Sequence, residues 1–128
     1  MKKILILSIT ISSLLLSCSS NNEIVDNSIV GNWYLKFVHD ETGELPIPYC
    51  RTLTLFSFKE DKTYNAQIYN MGASTIDCVF TEEITGTWKA LGNSSFELSN
   101  KNHITFKGNS IELRENKSST KYQVLLPN

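Results

Sequence analysis

Three cysteines, two histidines and one oddly placed glutamate are the residues of this 128-residue chain whose types and spacing could do chemistry. With Cys18 set aside for a reason given below, Cys50 and Cys78 remain as an even pair, which outside the cytoplasm closes as a disulfide. The alternatives are two buried thiols or half of a metal site. Zinc would want a CxxC spacing or a neighbouring histidine cluster, and neither accompanies these cysteines. His39 and His103 have no His, Cys or carboxylate at ligand spacing, so they read as exposed or hydrogen-bonded strand-end histidines rather than ligands or acid–base groups. Glu82 falls on the apolar phase between Phe80 and Ile84, where a carboxylate must be paired, protonated or at a rim. A rim is the expectation, and a ligand contact or general base is the alternative. Serines are plentiful, but no G-x-S-x-G elbow accompanies them. No glycine-rich loop is available for phosphate, since Gly92 and Gly108 sit in hairpin slots. These residues argue against an enzyme and against a metal or cofactor.

Cys18 has a different neighbourhood. Met1-Lys2-Lys3 leads into the apolar run Ile4 to Leu16, which ends at Leu15-Leu16-Ser17-Cys18. This resembles a bacterial lipoprotein signal peptide with its lipobox. The resemblance implies cleavage before Cys18, a diacylglycerol thioether on its sulfur with acyl chains such as palmitate, and a mature protein tethered to a membrane. The apolar segment is too short to span comfortably and is followed by polar residues. The expected organisation is a signal peptide over 1–17, the lipidated cysteine and a tether over 18–28, and one domain over 29–128. Ser19 to Ser28, SSNNEIVDNS, has little apolar content and no helical period, as a flexible tether would. Serine after the cysteine resembles proteins sent on to the outer membrane, so the expected location is the cell envelope, on its periplasmic or surface face.

Removing 1–17 leaves 111 residues, enough for one domain and too few for two. They carry 10 Lys and Arg against 13 Asp and Glu, a net charge of −3 that is spread along the chain. A nucleic-acid partner would want a basic stripe with interleaved aromatics, so that class is excluded. A monomer is the expectation.

From Ile29 onward the pattern has a period of two. Ile29, Gly31, Trp33, Leu35 and Phe37 share one face of a first strand. Thr52 to Phe58 makes a second, in which a bulge near Leu55-Phe56 would account for broken alternation. Thr63 to Asn70 puts Tyr64, Ala66 and Ile68 together. In the long strand Cys78 to Leu91, Phe80, Ile84, Gly86, Trp88 and Ala90 share a face. Gly92-Asn93 and Gly108-Asn109 fit type II′ hairpin turns, and Asn100-Lys101-Asn102 turns between them. They join Ser95 to Ser99, His103 to Lys107 and Ser110 to Arg114. A last strand has Tyr122, Val124 and Leu126 in phase. No segment has a 3.6-residue period. Eight strands joined mostly by hairpins must dispose of two sheet edges, which closure into an all-β, antiparallel up-and-down barrel does. A flattened sandwich is the competing solution.

Two blocks match each other: Ile29-Val30-Gly31-Asn32-Trp33 and Ile84-Thr85-Gly86-Thr87-Trp88, both I-x-G-x-W. Phe58-Lys59-Glu60-Asp61-Lys62-Thr63-Tyr64 lies between them. A G-x-W strand, an F-x-x-D-x-T-Y hairpin and a G-T-W strand resemble the small bacterial lipocalin-like domains carried on lipoproteins, particularly of Bacteroidota. The resemblance covers nearly all of Ile29 to Leu126 and implies a small eight-stranded barrel. Glycine two residues before tryptophan would give the indole room to plug a barrel end, making Trp33 and Trp88 structural. Larger lipocalins pack a late-strand arginine over the first tryptophan. Arg114 is the only late arginine, and its phase against Ile111 and Leu113 points it elsewhere.

Asp40 to Cys50 is the loop most open to a function. Leu45, Ile47 and Tyr49 alternate with Pro46 and Pro48, a stiff extended stretch whose apolar side chains have no evident place in a strand. Counting strands puts Cys50 and Cys78 at one barrel end, where a bridge would pin this loop as a lid or as a plain plug. The expected function is a lipid-anchored envelope binding module for a small apolar ligand. A cavity lined by Tyr64, Ile68, Phe80 and Phe106 would favour it. The alternative is a protein-interaction barrel, an accessory subunit or protease-inhibitor-like. That reading expects a filled interior and an exposed patch at Leu45, Ile47 and Tyr49.

Overall fold

A computed structural model describes residues 24–74 and 76–128; the expected signal peptide, Cys18 and the start of the expected tether lie outside them. Among these residues nine strands make one antiparallel sheet: β1 (Gly31–Asp40), β2 (Gly43–Leu45), β3 (Leu55–Phe58), β4 (Thr63–Met71), β5 (Cys78–Gly92), β6 (Ser95–Leu98), β7 (His103–Phe106), β8 (Ile111–Arg114) and β9 (Tyr122–Pro127). Each strand from β3 to β9 pairs with its neighbour in sequence, β1 pairs with β3, and β1 pairs again with β9. That last ladder, from Trp33 opposite Pro127 to His39 opposite Tyr122, closes the wall. β2 is a three-residue return along the end of β1, so eight strands form the barrel. Closure removes the two free edges an open sheet would expose, and it decides against the sandwich.

Three irregularities shift the expected phases. The second strand starts late, because Tyr49–Leu53 is a 3-10 turn and Thr54 joins it to β3. The broken alternation at Leu55-Phe56 is therefore a helix end, and β3 pairs with both neighbours without a bulge. A bulge does occur in β1 between Leu35 and Phe37. It turns Val38 inward and leaves Phe37 exposed, so Phe37 does not share the face of Trp33 and Leu35. Another falls where Ile68 pairs with Glu82 but Tyr69 pairs with Phe80, leaving Thr81 as the extra residue. Phe80 consequently leaves the inner face that Ile84 and Trp88 share and is exposed, edge-on to Tyr69. In β9 the inward residue is Leu125, opposite Leu35, so Tyr122, Val124 and Leu126 form the outer phase.

The turns divide in the same way. At Gly108 the positive φ falls on the first central residue and Asn109 has none, as a II′ turn needs. At the other hairpin Gly92 pairs with Ser95, and Asn93 and Ser94 both have positive φ, which is the I′ pattern one residue further on. The D-x-T pair of the β3–β4 hairpin is a local clamp: the Asp61 carboxylate accepts from the Thr63 backbone N–H at 3.0 Å and its hydroxyl at 2.6 Å. Asp40 and Thr42 repeat it between β1 and β2. These bonds hold both aspartates below the usual carboxylate range.

One apolar cluster fills the barrel, from Ile29 and Trp33 through Phe56, Phe58, Tyr64 and Trp88 to Phe96, Ile104, Ile111 and Leu125. Both indoles belong to it. Trp33 donates to the Ile29 carbonyl at 2.7 Å and meets Phe106 edge-on, while Trp88 donates to the Lys59 carbonyl and lies under the Lys62 ammonium, 4.0 Å from the ring centroid. The two motif glycines serve different ends. Gly31 has φ +138° and open space around its Cα, so the backbone conformation requires it. Gly86 is opposite Tyr64, whose ring fills the place of a side chain.

The turns β3–β4, β5–β6 and β7–β8 gather at one end, with residues 24–30. There the Lys62 ammonium donates to Asn27, and Ile24 lies beside Gly92. The opposite end, the mouth, carries the 40–54 connection, the 72–77 turn, the 99–102 turn and the 115–121 loop.

Candidate functional site

The disulfide Cys50–Cys78, with a Cα–Cα distance of 5.2 Å, ties the 3-10 turn to the start of β5 at the mouth. Upstream of it, Leu45-Pro46-Ile47-Pro48 runs across the barrel opening. Two prolines fix φ and remove N–H donors, so this stretch cannot extend β2 along β1. Leu45 and Ile47 turn toward the barrel and pack on the core cluster, and Tyr49 is 75% exposed.

Between this stretch and the 115–121 loop lies a cleft of about 330 Å³. Val38, Leu45, Ile47 and Leu113 supply apolar lining, and Gln123, opposite Val38 in register, brings a polar side chain beside them. Arg51, Arg114 and Lys121 line it against a single carboxylate, Glu115. Arg114 is engaged: its guanidinium bonds to Glu112 at 3.2 Å and the Ser119 carbonyl at 2.8 Å, and lies 4.2 Å from the Tyr122 ring centroid. Tyr122 stacks on its other side against His39, at 5.3 Å and 11°. Arg51 is different. Its Nε is buried and has no hydrogen-bond partner.

The mouth and the row beside it bias nearby protons. Across β1, β9, β8 and β7, residues His39, Tyr122, Arg114 and His103 are successive partners. Burial holds the His103 pKa below its ordinary value, Lys117 and Arg114 push the same way, and Glu97 opposes them.

The cavity expected from Tyr64, Ile68, Phe80 and Phe106 is not the one the fold makes. Tyr64 is a core residue, Phe106 packs on Trp33, Ile68 is half-buried, and the β5 bulge sends Phe80 outside. Glu82 is exposed on the part of β5 that pairs only with β4. The patch expected from Leu45, Ile47 and Tyr49 is also divided, since only Tyr49 is exposed. Arg51, Lys121, Gln123 and Val38 were not legible as cleft residues. Arg51 carried one usable signal, a lone arginine directly after a cysteine expected to be bridged. The Tyr64 hydroxyl is buried without a partner; burial raises its pKa, and the nearby Ser99 hydroxyl opposes this without reaching bonding geometry. Among the described residues no three His, Cys, Asp or Glu side chains come together, and no helix is long and apolar enough to cross a membrane.

A closed eight-stranded meander with a filled core and a cleft at one mouth defines a small cup-like β-barrel, a fold typically used for binding. Residues 29–118 match the lipocalin-like domain family, and the chain belongs to it. It matches no curated protein and no solved structure.

Proposed function

We propose that this protein is a non-enzymatic binding module, lipid-anchored in the bacterial cell envelope, that takes a small, largely apolar ligand at the barrel mouth. The observation that carries the reading is the cleft beneath Leu45-Pro46-Ile47-Pro48. Its volume of about 330 Å³ lies at the lower end of the range of small-molecule sites. Its wall is apolar along Leu45-Pro46-Ile47-Pro48, Val38 and Leu113, as in the usual small-molecule site, and polar or charged on the facing side. The stiff segment above it, held by a disulfide, costs little further ordering when a ligand enters.

The lipobox-like Leu15-Leu16-Ser17-Cys18 supports the anchor, with outer-membrane delivery suggested by Ser19. Residues 24–30 reach the barrel at the end opposite the mouth, so an anchor upstream of them would attach on the side away from the cleft. Two measurements test the reading. Labelled palmitate should enter the wild-type protein and not Cys18→Ser. A neutral apolar fluorescent probe should bind the purified protein and bind Leu45→Ser/Ile47→Ser more weakly. Failure of the wild type to take up any such probe would overturn the ligand reading.

A protein-interaction role draws on a separate observation. The β5 edge from Cys78 to Gly86 pairs only with β4, and Met71, Ile76, Val79 and Phe80 around it are exposed. An unpaired edge beside apolar side chains is a template for an added strand. Loss of a captured envelope protein on Phe80→Glu, with probe uptake unchanged, would favour this second role.

A further inference from the structure

The chain has only two arginines among its twelve cationic residues, Arg51 and Arg114, and both line the mouth cleft. They are not equivalent. Arg114 has its partners in Glu112, Ser119 and Tyr122. Arg51 has no ion pair among the described residues, and its Nε is removed from solvent with nothing to accept its proton. A buried donor without an acceptor carries a desolvation cost, which is heavier on a charged group. Arginine cannot relieve that cost by deprotonating. The terminal nitrogens of the same guanidinium make no hydrogen bond or ion pair among the described residues and are not shut off from solvent, and a planar guanidinium so placed favours a carboxylate or phosphate oxygen pair.

From this the geometry points to an amphiphilic anion as the ligand of the cleft: its anionic head bound by Arg51, with Lys121 adding positive charge, and its short apolar tail against Leu45, Ile47 and Leu113. This rests on the ligand reading above and makes it specific. Glu115, the one lining carboxylate, is exposed and makes no ion pair with Arg51, so it does not neutralise the site internally. Size narrows the class further. At roughly 30 Å³ per water-sized group, the cleft holds about ten heavy atoms, a medium-chain acid rather than a long-chain lipid.

Titrating the full chain with decanoate and, separately, with decanol tests this, following the Arg51 Nε–H resonance and the heat of binding. Decanoate should bind at least tenfold more tightly than decanol and shift the Nε–H signal. In Arg51→Gln that preference should disappear while decanol affinity stays as in the wild type. Lys121→Gln should reduce the preference only in part and lose it further as salt rises. Equal affinity for the two ligands in the wild type, or decanoate binding that leaves the Arg51 signal unmoved, would overturn the anion assignment and leave the apolar cleft standing. Binding of neither ligand would overturn both. A phosphate-headed source is separated in the same way: monodecyl phosphate, whose tail equals that of decanoate, outcompeting it would support the anionic class and move the head-group choice to phosphate.

Discussion

Tyr64 and Gly86 are direct partners across β4 and β5, and the tyrosine ring occupies the space a side chain at position 86 would need. A Cβ there would come within 2.8 Å of Tyr64 Cε1 and would collide with the Ser99 hydroxyl, which itself accepts from the Thr87 N–H. The glycine of one motif block and the final tyrosine of the hairpin motif are thus halves of one packing contact. It sits between Phe58, whose ring is 5.9 Å from Tyr64, and Trp88 two residues along the strand.

Gly86→Ala should therefore destabilise the protein by about 1 to 3 kcal/mol, the usual range for overpacking a filled core. Ser99→Gly in the same chain should recover part of the loss, because it removes one of the two obstructing groups. Urea unfolding of the single and double variants measures both. An alanine at 86 with wild-type stability would show that the contact is not tight.

The Tyr64 hydroxyl is buried with no partner, so it contributes a desolvation cost and no bond. Tyr64→Phe should leave stability unchanged or raise it by up to about 1 kcal/mol, against the 3 to 5 kcal/mol expected for removing such a ring altogether. A loss above 1 kcal/mol in thermal or urea unfolding would reveal a partner for the hydroxyl.

The bridge between Cys50 and Cys78 closes a loop of 28 residues. In the chain-entropy account a loop of that length contributes about 3.5 kcal/mol. Alkylation of the denatured, unreduced protein should leave both cysteines unlabelled, and the Cys50→Ala/Cys78→Ala variant should melt several degrees lower. Labelling of either cysteine without reductant would remove the basis for the prediction.

Acid should weaken the fold in two stages. The folded pKa of His103 lies below the ordinary value near 6.5, so as the pH falls through 6.5 the unfolded chain takes up a proton that the folded chain refuses. Stability is then full above that pH and declines below it until the folded pKa is passed. His103→Gln should flatten this part of the profile. The second stage comes from Asp40, Asp61 and Glu97, whose lowered pKa values give stability that is present above their ordinary range and lost as pH falls through the folded values. Urea midpoints at pH 7.5, 6.5, 5.5 and 4 follow both; a profile that is flat from 7.5 to 5.5 in the wild type would contradict the histidine stage.

Within the mouth stretch, Ile47→Ser should cost about 1 to 2 kcal/mol, less than a fully buried truncation, because Ile47 is half-buried against the core. Tyr49→Ser should stay within about 0.5 kcal/mol, since the ring is largely in water. Comparable losses at the two positions would mean that the stretch packs as a unit.

Sequence alone determined the parts of this protein that depend on neighbours along the chain. Alternation with a period of two, the D-x-T hairpin and the small spacing between strands leave little besides an antiparallel meander, because short connections join only adjacent antiparallel strands. Buried Trp33, Tyr64, Trp88, Phe96, Ile104, Ile111 and Leu113 follow from that alternation. Phase was lost wherever one residue was inserted: the irregularities after Leu35 and at Thr81 reverse the facing of Phe37 and Phe80, and a shift of one residue exchanges the two faces of a strand. Of the cleft, only the stretch with Leu45 and Ile47 at the bridged barrel end was legible; the residues facing it were not. Val38, Arg51, Leu113 and the pair Lys121 and Gln123 come from four separate parts of the chain, and they meet only because β9 closes on β1 and the bridge from Cys78 draws the 3-10 turn to the mouth. Whether a side chain such as Arg51 finds a partner depends on what the far strands bring within about 3 Å of it, which is a property of the closed barrel and of no local pattern.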